Sequence, residues 1–281
     1  MLFRSLAYEQ GARPLPLLAW RFALAAVVLG IYASVRNPGS LIVGRREIGR
    51  YALLSLTGYG AASLCFFFAL EHASASVVAV LLYAYPALVA ALHAVETRTR
   101  PDARVIAGVA VTFAGCVAVV GIFEQRAHVD AAGVLLGLGA AVAYATFTVL
   151  SDRLVRGRSR LVVMTYMFGI SAIGMATVTL LSGGSLGIGG WQPQMWILLA
   201  LIIALPTVLA VVLYLEGIKR LGPSRAALAS TIEPVFTIVL AAWLLGERLT
   251  LLQLGGAVLV VAGIALSHSA GDGRDGLPVS A

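Results

Sequence analysis

Apolar and polar positions along this chain segregate into long blocks. Runs of about twenty mainly apolar residues lie at approximately 15–35, 50–70, 73–95, 103–123, 131–151, 161–182, 194–215, 224–245 and 251–268. A helix rises about 1.5 Å per residue, so roughly 20 such residues cross the hydrocarbon core of a bilayer. The pattern therefore predicts an all-α protein with about nine membrane spans. Short segments of alternating hydrophobicity are absent, which argues against a barrel.

Composition points the same way. The 281 residues are 60% hydrophobic and 12% charged, with a mean hydropathy of +0.94. That charge is too sparse to cover the surface of a soluble protein. No segment is long enough for a water-soluble domain, so the lipid bilayer is the expected surroundings. The net charge of +7 is not a nucleic-acid footprint, because its distribution alternates. Arg36, Arg45, Arg46 and Arg50 follow the first run, Arg98, Arg100 and Arg104 the third, and Arg153, Arg156, Arg158 and Arg160 the fifth. Lys219, Arg220 and Arg225 follow the seventh, and Arg274 lies in the tail. By the positive-inside rule these loops and the C-terminus are expected on the cytoplasmic side. Cys65 and Cys116 fall inside runs, without zinc spacing or a disulfide framework. No metal site or cofactor is expected. The N-terminal stretch lacks a signal-peptide pattern.

The chain repeats internally. A shift of 148 residues aligns Ala69–Cys116 with Gly217–Ile264 without a gap and gives nine identities in 48 positions. Pro86 falls on Pro234, Gly108 on Gly256, and Gly115 on Gly263. The same shift places the run 161–182 on 13–34 and 194–215 on 46–67, whereas 131–151 has no counterpart beyond a remnant near Met1. Two units are expected, at 1–124 (lacking an opening helix) and 125–268, with a short tail at 269–281. A full unit has five helices, so successive units enter the membrane in opposite directions, as inverted-repeat transporters do.

The segments "ALEHASASVVAVLLYAYPALVAALHAV" and "GIKRLGPSRAALASTIEPVFTIVLAAWLLGERLTLLQLGGAVLVVAGIAL", with "PLPLLAWRFALAA" at 14–26, resemble the EamA-type carriers of the drug/metabolite transporter superfamily. The resemblance covers nearly the whole chain and is strongest at 222–266. Thr99 stands where the second unit has Glu247. It implies a secondary transporter with ten helices, one more than the runs counted here.

Glu233 and Pro234 are the most informative pair. A carboxylate at mid-span costs about 2.5–3.5 kcal/mol on insertion scales, so it must face protein or water. Proline removes a backbone donor and crowds the carbonyl four residues back. The pair is read either as a polar site or as a protonated glutamate that repairs the kink. Tyr85 and Pro86 are the counterparts in the first unit, with Tyr83 two residues earlier. Tyr83 and Tyr85 diverge on a helix, so both cannot face one cavity well. Pro206 and its counterpart Gly58 form a second pair of interruptions, with Thr207 and Tyr59 beside them. Paired interruptions point to a transporter's binding region. Arg21 either snorkels to the outer interface or faces the cavity, where it can hold an anion or pair with Glu233. Tyr144 is a further cavity candidate, and His93 is expected at the cytoplasmic interface. Gly133, Gly137 and Gly256 read as helix-packing positions.

The sequence thus predicts a multi-pass inner-membrane carrier that moves a small metabolite or drug-like solute by alternating access. Export is the expected direction and a proton the candidate coupling ion. A homodimer is compatible with the pattern. The alternative is a non-transporting structural or regulatory membrane protein. Intramembrane catalysis finds no HExxH, paired aspartates or serine–histidine arrangement to carry it.

Overall fold

The structure, a computed structural model, describes residues 14–98, 102–120, 130–154, 159–187, 193–245 and 250–268. The remnant near Met1, Thr99, Glu247 and the tail lie outside the described residues. Helices occupy all nine expected runs. They are α1 (Pro14–Arg36), α2 (Arg45–Leu53 continuing to His72), α3a (Ala75–Leu82), α3b (Tyr85–Thr97), α4 (Ala103–Val120), α5 (Ala131–Leu154) and α6 (Arg160–Leu181). Then follow α7 (Pro193–Ile202 continuing to Leu221), α8a (Pro223–Ser230), α8b (Glu233–Leu245) and α9 (Leu251–His268). Among the described residues, seven helical spans are long and apolar enough to cross a membrane, and Leu251–Ser267 is a shorter apolar helix.

Local chemistry sets the boundaries. The α9 start is a capping box, with Thr250 N–H donating to Gln253 Oε1 at 3.0 Å and Gln253 N–H to Thr250 Oγ1 at 3.2 Å. Asp130 Oδ1 caps α5 by accepting from Gly133 N–H at 2.8 Å. Gly222, at φ 79°, turns the chain so that Pro223 can open α8a. The two breaks lie where proline demands them. α3a ends at Leu82 and α8a at Ser230, each four residues before Pro86 or Pro234, the position whose carbonyl the ring excludes from helical bonding.

The structural repeat matches the sequence repeat. Each of α3a, α3b and α4 has start and end residues 148 positions before those of α8a, α8b and α9. Inside α2 and α7 the backbone widens to π-helical turns at Leu54–Tyr59 and Ile203–Leu209. The first contains Gly58 and the second Pro206. Such turns are rare and occur mostly at functional sites.

The units interlock through counterparts. α1 packs along α6, and α4 along α9. In the second pair, Gly108 faces the Gly263 carbonyl and Gly115 the Gly256 carbonyl, so closely that an added Cβ would lie 2.7 and 2.8 Å from them. Only glycine permits this approach. α5 lies against α2, α3a and α3b. The core holds Phe22, Tyr59, Phe147 and Phe168 in mutual aromatic contact. The outer surface exposes Val35, Val95, Leu135, Leu181 and Trp243, an apolar coat suited to acyl chains. The result is an all-α inverted-repeat membrane bundle.

Candidate functional site

Two broken helices meet, one from each unit. The Tyr85 hydroxyl, from the N-terminus of α3b, donates to the Ala227 carbonyl of α8a at 2.8 Å and pairs with the Ser230 hydroxyl. Ser230 Oγ lies 2.9 Å from the same carbonyl, so its single proton goes either to Ala227 O or to the Tyr85 oxygen, and Thr231 Oγ1 donates to the Leu228 carbonyl at 2.5 Å. The Ala227 carbonyl, in the last turn of α8a, is thus served by a hydroxyl from the other unit.

Glu233 begins α8b and is exposed, whereas its counterpart Tyr85 is 3% exposed. Glu233 lies three residues beyond Ser230, the hydroxyl partner of Tyr85. Pro234 and Pro86 are buried beside the breaks. The rings of Tyr85 and Tyr144 meet edge to face with centroids 4.8 Å apart. Tyr144 also stacks on Tyr214 at 5.7 Å, and Tyr214 pairs with the Thr148 hydroxyl at 2.8 Å. Tyr83 points elsewhere, into a cluster with Ala79, Cys116, Val119 and Val260. Tyr83 and Tyr85 thus diverge as their spacing requires.

The second pair of interruptions builds an adjoining polar centre. Arg21 is 4% exposed. Its Nε donates to Thr207 Oγ1 at 2.6 Å, and one terminal nitrogen donates to Tyr59 OH at 3.3 Å. Thr207 Oγ1 in turn donates to the Ile202 carbonyl at 2.7 Å, five residues back across the π-helical turn. The expectation that Arg21 snorkels to the interface is corrected. Two hydroxyls, one from each π-helical turn, hold the guanidinium inside. Tyr59 also contacts Phe147 edge to face at 5.4 Å, and Phe147 lies 5.7 Å from Tyr144. A continuous aromatic wall therefore joins the Arg21 centre to the Glu233 centre. Gly58 makes this possible, since a Cβ there would lie 2.9 Å from Phe147 Cβ.

Sequence reasoning missed Ser230, Tyr214, Phe147 and the Ala227 carbonyl. Ser230 was findable, being four residues before Pro234. Phe147 was findable as the i+3 neighbour of Tyr144. Tyr214 carries no local signal. His93 is half-buried near the arginine-rich end of α3b. With Asp102, Ser224 and Arg225 it lines a cavity of about 280 Å³ between α3b, the start of α4 and the α7–α8a junction.

The two sides of the bundle differ. Towards the arginine-rich loops α3b and α8a pack together. Their repeat counterparts towards the other side, α8b and α3a, are less closely packed among the described residues. At the other side, His72 Nδ1 pairs with Asp130 Oδ2 at 2.9 Å. The Gly133 N–H first, and then His72, hold the Asp130 carboxyl below its ordinary range.

Known proteins resemble this chain throughout. The model of the EamA-like transporter family matches residues 2–121 and again 131–268. The uncharacterized transporter YcbK of Bacillus subtilis is 30% identical over 274 residues, covering 92% of this chain and 85% of that protein. The uncharacterized inner membrane transporter YicL of Salmonella typhimurium is 23% identical, covering 88% and 82%. One solved crystal structure shares the fold with a TM-score of 0.80 at 20% identity, over 95% of this chain and 92% of that one. With two family matches along nine helical runs, the chain belongs to the EamA-like transporter family and is an integral, multi-pass membrane transporter.

Proposed function

We propose that this protein is a secondary carrier that moves a small metabolite or drug-like solute out across the inner membrane by alternating access. The observation that carries the reading is the position of Glu233. It is an exposed carboxylate that opens α8b three residues beyond Ser230, the hydroxyl partner of the buried Tyr85, where the broken helices of the two units meet. A carboxylate at that depth is functional by default. Broken helices at a repeat interface are where transporters bind substrate and coupling ion.

Glu233 binds a cationic group of the solute or exchanges it for a proton. Tyr144, Tyr214 and Phe147 offer aromatic faces to the solute's apolar or cationic part. Arg21, fixed by Thr207 and Tyr59, supplies positive charge for an anionic part. The arginine-rich loops and the C-terminus are cytoplasmic, supported by the charge distribution. The inner membrane is supported by the name of the YicL relative. With α3b and α8a packed together, and α3a and α8b less closely packed among the described residues, this conformation is read as open outward. The units at 1–124 and 125–268 are the two halves whose rearrangement exposes the site alternately to each side.

Transport in proteoliposomes tests the reading. Glu233→Gln is expected to abolish or uncouple transport while the purified protein keeps its size-exclusion profile and melting temperature. Unchanged coupled transport by that variant would remove Glu233 from the mechanism.

A further inference from the structure

The inverted repeat permits an inference about the state that this conformation does not display. A carrier with two inverted units reaches its opposite-facing state when each unit adopts the conformation of the other. The contact that closes the arginine-rich side must then reappear, transposed by 148 residues, on the other side. That contact is Tyr85 O–H donating to the Ala227 carbonyl. Tyr85 transposes to Glu233 and Ala227 to Ala79, one of the identities between the units. We infer that the outer cleft closes by a hydrogen bond from a protonated Glu233 carboxyl to the Ala79 carbonyl, which makes closure dependent on a proton. This rests on the reading of Glu233 as the coupling residue.

The chemistry dictates the proton. A phenol donates at neutral pH, but an ionised carboxylate only accepts. Two acceptors facing each other repel. Closure would also bury residue 233 as Tyr85 is now buried, at 3% exposure, and burial disfavours the charged form. The proton comes from water in the outer cleft and forms an O–H bond on the carboxylate. It leaves to water on the arginine-rich side once the Tyr85 bond opens.

The receiving end is ready. The Ala79 carbonyl accepts the Tyr83 N–H at 2.9 Å, which leaves a second lone pair. Where Tyr85 and Ala227 have the Ser230 hydroxyl beside them, the position transposed from Ser230 is Leu82. Glu233 would therefore be the hydroxyl donor there. Ile232 and Val235, flanking Glu233, already pack against the cluster containing Ala79 and Tyr83. The titratable groups around this place are the phenols of Tyr83, Tyr85, Tyr144 and Tyr214 and the Cys116 thiol. The Arg21 guanidinium is held by Thr207 and Tyr59. Phenols and thiols are ordinarily neutral near pH 7, so the carboxyl is the group to which the inference assigns the proton.

The test measures distances, not transport. Spin labels at Ser76 and Trp243 report the outer cleft, and labels at their counterparts, Val95 and Ser224, report the arginine-rich side. The full chain, with Cys65 and Cys116 replaced by Ser, is studied in nanodiscs without substrate at about pH 5 and about pH 8. The short Ser76–Trp243 distance is expected to gain population on acidification, by up to about tenfold per pH unit for one linked proton. The Val95–Ser224 distance is expected to lengthen in step. Glu233→Gln, whose amide can donate, is expected to favour the short outer distance at both pH values. Glu233→Ala, with no donor, is expected to favour the long one at both. Distances that ignore pH in the unsubstituted chain would overturn the inference, as would a Glu233→Gln protein that still follows pH. If Glu233→Gln does not fold, the titration of the unsubstituted chain decides alone. Loss of transport in Glu233→Gln with pH-independent distances would sink the gate and leave the proposed function standing.

Discussion

Arg21 Nε donates to Thr207 Oγ1 at 2.6 Å, joining residues 186 positions apart and fixing a cation inside an apolar bundle. The bond ties α1 to the π-helical turn of α7. The same hydroxyl donates to the Ile202 carbonyl, so one side chain stabilises both the widened turn and the guanidinium.

Thr207→Val keeps the shape and removes both bonds. Leaving a buried charged donor short of an acceptor costs about 1–3 kcal/mol. The variant is expected to melt at a lower temperature in detergent by circular dichroism, and Thr207→Ser to retain most of the stability. Equal losses in the two variants would mean that methyl packing, not the hydroxyl, matters.

The α4–α9 seam makes a sharper steric prediction. Gly108→Ala would place a Cβ 2.7 Å from the Gly263 carbonyl, and that backbone can move only by separating the helices. Overpacking of this kind costs about 1–3 kcal/mol. Gly255→Ala, where nothing lies within 4 Å, is the matched control and is expected to be neutral or slightly stabilising. Thermal unfolding of the pair gives the comparison.

The Asp130 clip predicts a pH dependence. Its carboxyl is held below the ordinary range by the Gly133 N–H and by His72. A group with a depressed folded-state pKa adds stability above its unfolded value, about 3.9. That stability is lost as pH falls through the folded value. Asp130→Ala is therefore expected to melt below the unsubstituted protein at neutral pH, and the difference is expected to shrink at acid pH. The group is exposed, so the effect is small. A difference that persists undiminished at about pH 2 would show that the carboxylate charge is not its source.

Tyr85→Phe removes the hydroxyl that bonds Ala227 and Ser230 and leaves the ring against Tyr144. The arginine-rich side should open more often. A cysteine at Ala94, which lines the cavity there, is expected to react several-fold faster with a water-soluble maleimide in this variant. An unchanged rate would show that ring packing alone holds α3b to α8a.

Much of this was legible before the coordinates. Pro86 and Pro234 announce the breaks because a proline acts on a known residue, four positions back. Gly58 and Pro206 announce the π-helical turns because a shift of 148 sets them side by side. Tyr59, Thr207 and Arg21 were each singled out, but their meeting was not foreseen. The sequence left Arg21 two fates, snorkelling or a cavity, since depth along a helix says nothing of which neighbour faces it. The Ala227 carbonyl could not be named because it is a backbone atom whose side chain carries no chemistry. Tyr214 was likewise silent, since it gains its partners only when α7 is laid against α5.

The central claim is that Glu233 faces water between the two units rather than lipid. Its most direct test is Glu233→Cys in a chain lacking other cysteines, labelled in oriented membrane vesicles with a charged, membrane-impermeant thiol reagent. Labelling from the side opposite the arginine-rich loops, and little from the arginine-rich side, is the predicted result. A thiol that reacts with an apolar maleimide but resists the charged reagent from both sides would place residue 233 against acyl chains and contradict the account.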